Sequence, residues 1–331
     1  MNKTQAIDAM RLVMRRKHMS LSTERSYCHW LKRYCAAIPS YHCTSSRNRI
    51  EKFLTSLARQ RVSASTQNQA FNAILFFYRE VLHQEIGNIN ALRAKRPEHV
   101  RSAPSRDQVS ELLMIVQDAH NYPTRLIVHM LYACGLRVTE PLNIRIKDVD
   151  LDHLRLTVRD GKHHKDRVVP LPSILAGPIE SQRMYARSLW ERDRRNGIPV
   201  PLPGRLHRKY PSARHSLQWY WLFPAHKPCK HPRTGEMVRW RCHESNVQRA
   251  VRKAAAQMGM ESLITPHVLR HAYATHVIDR GGSVRDLQSA LGHKHLDTTM
   301  RYVTPDAMKV RSPIEADHDL PAIPVTVPAA R

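Results

Sequence analysis

Glycine is scarce in this 331-residue chain: 11 in all, none arranged as GxGxxG or GxxxxGK[ST]. The turns that let a backbone close on a pyrophosphate or triphosphate are therefore missing, and the chemistry is expected to run without ATP or a dinucleotide. Six cysteines (Cys28, Cys35, Cys43, Cys134, Cys229, Cys242) include no CxxC pair, and the opening MNKTQAIDAMRLVMRRKHM has no apolar core of the kind a secretory signal needs. Both point to a reducing, cytoplasmic setting. No apolar run approaches the roughly 20 residues of a membrane span, so no membrane partner is expected. Acidic residues are the other shortage, 28 against 53 Lys and Arg, for a formal charge of +25. That excess favours a polyanion, nucleic acid before others, over a merely basic surface.

What is present is enough apolar sequence, 42%, for real cores, and a length that suits about two domains at roughly 100–200 residues each. The first ~90 residues carry 3.6-period stripes: Tyr27, Trp30, Leu31, Tyr34; then Ile50, Phe53, Leu54, Leu57; then Phe71, Ile74, Leu75, Tyr78, Leu82. With a helix near Ala6 to Lys17 they predict a four-helix domain over 1–90, the aromatics serving as core. The stretch GNINALRAKRPEHVRSAP breaks the pattern and reads as a basic linker over 91–104.

Periodicity resumes at SRDQVSELLMIV, where Ser105 and Gln108 fit a capping box and Val109, Leu112, Leu113 and Val116 form the buried stripe. The second domain is placed at 105–314 and is expected to be mainly helical. One helix runs from about Thr124 to Gly135, and another opens in LRVTEPLNI with Thr139 as N-cap. A β-hairpin follows, alternating Leu154, Leu156 and Val158 before DRVVPL, with Lys162 and Lys165 at or near its tip. The span of about 190–245 stands apart, with seven prolines and Trp219, Trp221 and Trp240, and reads as an insertion. Helices resume in NVQRAVRKAAAQMGM, PHVLRHAYATHV and SVRDLQSALG, the last capped by Ser283 and stopped by Gly292; residues 315–331 are expected to be disordered.

The helix TPHVLRHAYATH places His267, Arg270 and His271 at i, i+3 and i+4, on one face. A helical zinc site would put a glutamate after the first histidine, where this chain has Val268, so no metal is expected. Histidine packing is the bland reading, strongest for His271. The third reading is a phosphate: displacement at phosphorus needs cations on the non-bridging oxygens, a nucleophile and an acid for the departing alkoxide. Arg137, Lys162, His267, Arg270, His293 and Tyr302 supply those groups. DLQSALGHKHLDTTMRYV also admits a helix-turn-helix reading, that of a non-catalytic DNA-binding regulator.

CGLRVTEPLNI, GKHHKDRVVPL, HVLRHAYATHV and LGHKHLDTTMRYV, in that order, resemble the four motifs of the tyrosine recombinases, the phage integrase family. The resemblance implies a helical core-binding (SAM-like) domain and a mainly helical catalytic domain with a small sheet, closing on DNA, and action as a homotetramer on two DNA sites without a cofactor. It implies that Tyr302 attacks and becomes joined to a 3′-phosphate, that Arg137 and Arg270 bind the phosphate, and that Lys162 protonates the leaving 5′-oxygen. His267 and His293 would assist proton transfer, with Glu140 and His271 in support. RKYPSARHSLQWYWLFP and HPRTGEMVRW, with the N-terminal STERSYCHWLKRY, look most like integron integrases, which recombine gene-cassette sites folded from single-stranded DNA. Duplex recombinases of the Xer or phage type are the alternative. Trp219, Pro232, Arg239, Trp240 and Arg241 are the candidates for nucleic-acid contact. The hairpin departs from the usual GKGxKxR at His163, and RWRCH (Trp240 to His243) replaces the family's His pair.

Overall fold

A computed structural model of the chain describes residues 2–40, 45–87, 89, 103–119, 122–159, 166–204 and 206–292. It divides into two compact units, 1–101 and 102–331. The first unit holds α1 (Lys3–Arg16), α2 (Leu21–Ala37), α3 (Ser46–Arg59) and α4 (Ala64–Phe76). Three of the four starts have a side-chain cap: Asn2 and Gln5 form a reciprocal box at α1, and Ser20 and Ser63 accept from the backbone N–H three residues on at α2 and α4. The predicted stripes bury Trp30, Leu31, Tyr34, Ile50, Phe53, Leu54, Leu57, Ile74 and Tyr78 in one core. Tyr34 and Tyr78 share a hydroxyl hydrogen bond of 2.9 Å there.

Leu82, read as part of the last stripe, is exposed. The helix loosens into a π turn over Phe77–Val81, and the wider turn rotates the residues beyond it. Phe77 and Tyr78 both go inside as a result, and Leu82 swings out.

The second unit begins with α5 (Arg106–Ile115), opened by the Ser105 and Gln108 box as read from the sequence. α6 (Thr124–Ala133) lies at its centre, packed by α10 (Glu244–Gln257) and α11 (Pro266–Asp279). Between them come α7 (Thr139–Leu142), the antiparallel sheet β1 (Val149–Asp150), β2 (Arg155–Val158) and β3 (Arg167–Pro170), and the long α8 (Ala176–Arg195). α9 (Leu206–Lys209), the two-stranded β4 (Cys229–Lys230) and β5 (Met237–Val238), and α12 (Val284–Leu291) complete the described residues. Ser283 caps α12 and Gly292 ends it in the left-handed conformation, φ 65°. No helix among them is long and apolar enough to cross a membrane.

Two local expectations change. Thr139 does not cap α7; it is the first helical residue, Val138 is the cap with no side-chain hydrogen bond, and Glu140 accepts the Arg137 N–H just ahead of it. The aromatic run of the span that stood apart in the sequence belongs to the main core: Tyr220, Trp221, Leu222 and Phe223 are all buried with Leu131, Leu142 and Leu156. Consecutive residues can all go inside because the chain threads between layers, with Ile146 donating to Tyr220 O and Leu222 donating to Ile144 O.

Candidate active site

The site starts where α6 stops. Cys134 is its cap, and Gly135 turns the chain at φ 60°. A Cβ at Gly135 would stand 2.4 Å from the Tyr273 ring, so only glycine allows α11 to come this close. The turn delivers Arg137, whose backbone N–H and Nη1 both donate to Glu140, at 2.8 Å to Oε2 and 2.7 Å to Oε1. Glu140 is 6% exposed.

Two further guanidinium groups converge on that carboxylate. Arg167 of β3 forks onto it, Nη1 to Oε1 at 2.9 Å and Nη2 to Oε2 at 2.7 Å, and its Nε donates to Ala290 O at 2.7 Å. Arg270 of α11, 1% exposed, places Nη1 3.6 Å from Glu140 Oε2 and donates to Gly135 O at 2.8 Å and Leu291 O at 2.6 Å. Burial pushes the Glu140 acid upward, but the Arg167 hydrogen bonds and charge, the Arg137 N–H and the Arg270 charge outweigh it and hold it below the usual carboxylate range. Three cations around one anion leave a surplus of positive charge, and the Arg137 side chain, 28% exposed, carries it to the surface. Such a pocket suits an anion with several oxygens.

The sequence-derived set divides accordingly. The structure brings Arg137, Glu140 and Arg270 together. His267 is exposed in the first turn of α11 and His271 is half-buried one turn further along the same helix. Lys162, His293 and Tyr302 lie outside the described residues, as do His163, His164, Lys165 and His295. Among the described residues no group of three His, Cys, Asp or Glu is placed to hold a metal ion. The described residues on either side of 160–165 are anchored: Val158 pairs with Arg167, and Arg159 reaches Asp166 at 3.1 Å and the buried Asp148 at 2.5 Å.

Arg167 was not singled out from sequence, although a signal existed. On β3 it shares parity with the fully buried Val169, so it is a cation on the inward face of a strand. α12 is the first helix of the helix-turn-helix reading, and the second lies outside the described residues. Leu287 and Leu291 pack with Ala274 of α11, and its last carbonyls are taken by Arg167 and Arg270.

The nucleic-acid candidates fare unequally. Trp219 is half-buried with the Lys147 ammonium 3.0 Å from its ring centroid, and its carbonyl accepts from Arg145 at 2.6 Å. Arg145 stacks on Trp221 at 3.2 Å, and burial pushes its pKa down to about 9 against the pull of Asp148. Trp240 is half-buried beside His231, ring centroids 5.4 Å apart, and Pro232 is exposed next to them. Arg241 is half-buried, and that burial lowers its pKa. Arg239 is a correction: 2% exposed, it forks onto Asp193 at 2.6 and 2.5 Å and donates to Ala225 O and His226 O. With Tyr220 also donating to Asp193, it is an internal strut with no face toward a ligand.

Residues 105–308 match the model of the phage integrase family, and residues 7–88 match that of its N-terminal SAM-like domain. The chain belongs to the phage integrase family. As a member of that family it is a tyrosine recombinase, an enzyme that cuts and rejoins DNA strands. It is 37% identical over 325 residues to an integrase/recombinase of Escherichia coli, covering 96% of this chain and 95% of that one. It is 31% identical over 288 residues to the tyrosine recombinase XerA of Thermococcus kodakarensis, covering 85% and 83%. Its fold is that of the Tn1549 transposon integrase, solved with transposon right end DNA (TM-score 0.59, 14% identity, 93% and 96% covered). It is likewise that of XerH, solved with its difH substrate (TM-score 0.58, 18% identity, 93% and 82% covered).

Proposed function

We propose that this integrase cuts DNA through a covalent phosphotyrosyl intermediate and acts on gene-cassette sites folded from single strands. In the cutting step the Tyr302 oxygen bonds to phosphorus as the bond to the 5′-oxygen breaks. The departing oxygen takes a proton from Lys162, and the tyrosine proton passes to His267 or His293. Arg137 and Arg270 hold the non-bridging oxygens where charge develops. Side-chain cations suffice for this, and no metal or nucleotide enters the step. The protein works as a homotetramer across two DNA sites. The observation that carries the phosphate reading is the trio of arginines on Glu140, a preorganised positive pocket built from three of the four recombinase motifs.

The cassette reading rests on the aromatic segment. Trp219 with Lys147, and Trp240 with Pro232, His231 and Arg241, leave half-buried indoles beside cations, which suits a base turned out of a hairpin. The duplex alternative has support of its own, since the relatives include XerA and much of the same segment is core. Both are tested by incubation with a nicked cassette-site hairpin and with nicked duplex, followed by a denaturing gel. A covalent protein–DNA band on the hairpin, absent with Tyr302→Phe, is expected. A band on duplex alone selects the Xer-type reading, and a band with the Phe variant removes Tyr302 from the mechanism. Tyr302→Phe should still bind DNA within about tenfold of wild type, because phosphate contacts dominate such an interface.

A further inference from the structure

We propose that Arg167 is a positioning residue for phosphate binding: it withdraws the Glu140 carboxylate from competition with the scissile phosphate and ties it to the end of α12. The proposal rests on the phosphate roles of Arg137 and Arg270.

A carboxylate and a phosphodiester compete for the same guanidinium donors. Glu140 sits in reach of both phosphate-binding arginines, 2.7 Å from Arg137 and 3.6 Å from Arg270. Left to those two alone, it would fold their charge back onto itself. Arg167 offsets this by giving each Glu140 oxygen a charge-assisted hydrogen bond from its own fork, so that the carboxylate draws less on Arg137, which still donates to Oε1, and on Arg270. With Arg167 present the four side chains sum to +2; without it they sum to +1, with a carboxylate still to be satisfied.

Arg167 does not serve the phosphate itself. All three of its guanidinium nitrogens, Nε, Nη1 and Nη2, donate to Glu140 and Ala290 O inside the protein. Its third partner, Ala290 O, lies at the C-terminal end of α12, one residue before the carbonyl held by Arg270. The stem is fitted as closely as the head: a Cβ on Gly292 would stand 3.1 Å from Arg167 Cδ. One side chain thus links Glu140, strand β3 and the end of α12, the described elements next in sequence to Lys162 and His293. Lysine cannot replace it, because a single ammonium has no planar fork to span carboxylate and carbonyl together.

The test uses the full chain and a nicked cassette-site hairpin, with covalent adduct formation in a single turnover, DNA affinity and melting temperature measured for each variant. Arg167→Lys should form adduct about tenfold or more slowly at saturating DNA while its affinity stays within about threefold, the signature of misplaced groups. Arg167→Met should be slower still. Adding Glu140→Gln to Arg167→Met, which removes the competing charge, should recover about tenfold of that loss. Wild-type rates for Arg167→Lys, or a double variant no faster than Arg167→Met, would overturn the proposal; if Arg167→Met fails to fold, Arg167→Lys and its split of rate from affinity decide. Arg137→Ala and Arg270→Ala run alongside. If either cleaves at the wild-type rate, the phosphate reading fails and this one with it. If both are dead while Arg167→Lys is not impaired, only the role of Arg167 falls.

Discussion

Asp193 is a carboxylate sunk in the second unit, and its two oxygens take both forks of Arg239 and the hydroxyl of Tyr220. Removing the cation leaves a buried anion with one neutral donor. Arg239→Met should therefore destabilise the protein by about 3–5 kcal/mol, read by urea unfolding, whereas a nucleic-acid contact would leave stability unchanged and alter affinity alone. Arginine beside Trp240 in a basic segment gave no sequence signal for this, because its partner lies 46 residues away on α8. Glu140 behaves differently. Its carboxyl is held below the ordinary range, so it contributes stability that is fully present above the ordinary glutamate range and is lost as pH falls through that range to its depressed value. The stability gap between wild type and Glu140→Gln should shrink as pH is lowered from neutrality through that window. A gap that stays constant would mean the Glu140 charge adds nothing to folding.

Helix starts are the most local decisions in this chain, and the most legible. Ser105 and Gln108, or Ser283 before Asp286, can be read without knowing what the helix packs on. Ser105→Ala should cost about 0.5–2 kcal/mol in stability and leave cleavage at saturating DNA unaltered, since the cap touches nothing in the candidate site. A lower cleavage rate at full folding would show that α5 also helps to shape the site. The π turn at Phe77–Val81 was not legible, because a widened turn keeps the same residue types and only their spacing to the core changes. Nor was the fate of Tyr220 to Phe223. Periodicity identifies an element with one buried face, and here four consecutive residues are buried by different neighbours. In the site, Arg137, Glu140 and Arg270 could be found from the motifs, but their convergence depends on the Gly135 turn and the close approach of Tyr273, which no spacing encodes.

Over the whole molecule the decisive quantity is where 53 basic side chains do their work. Arg145, Arg167 and Arg239 spend their charge inside the second unit, and Arg137 and Arg270 belong to the candidate site, so cations for the DNA backbone beyond that site are sought among exposed residues such as Arg208 and Lys209 of α9. If the aromatic segment reads folded single strands, indoles and cations should separate experimentally. Trp219→Ala or Trp240→Ala should weaken binding to a bulged hairpin by roughly 1–3 kcal/mol per lost stack, yet barely change binding to the same hairpin with its bulges deleted. Trp219→Ala also releases Lys147 from its ring, so Lys147→Met is the control. It should weaken both hairpins alike if the ammonium serves phosphates. Arg208→Ala and Lys209→Ala should do the same, each flattening the dependence of affinity on salt by about one unit of slope. Equal losses on both hairpins for each Trp variant, or a fall in melting temperature that accounts for them, would make the indoles structural. The cassette reading would then fail, while the Arg137, Glu140 and Arg270 site would remain that of a recombinase for duplex DNA.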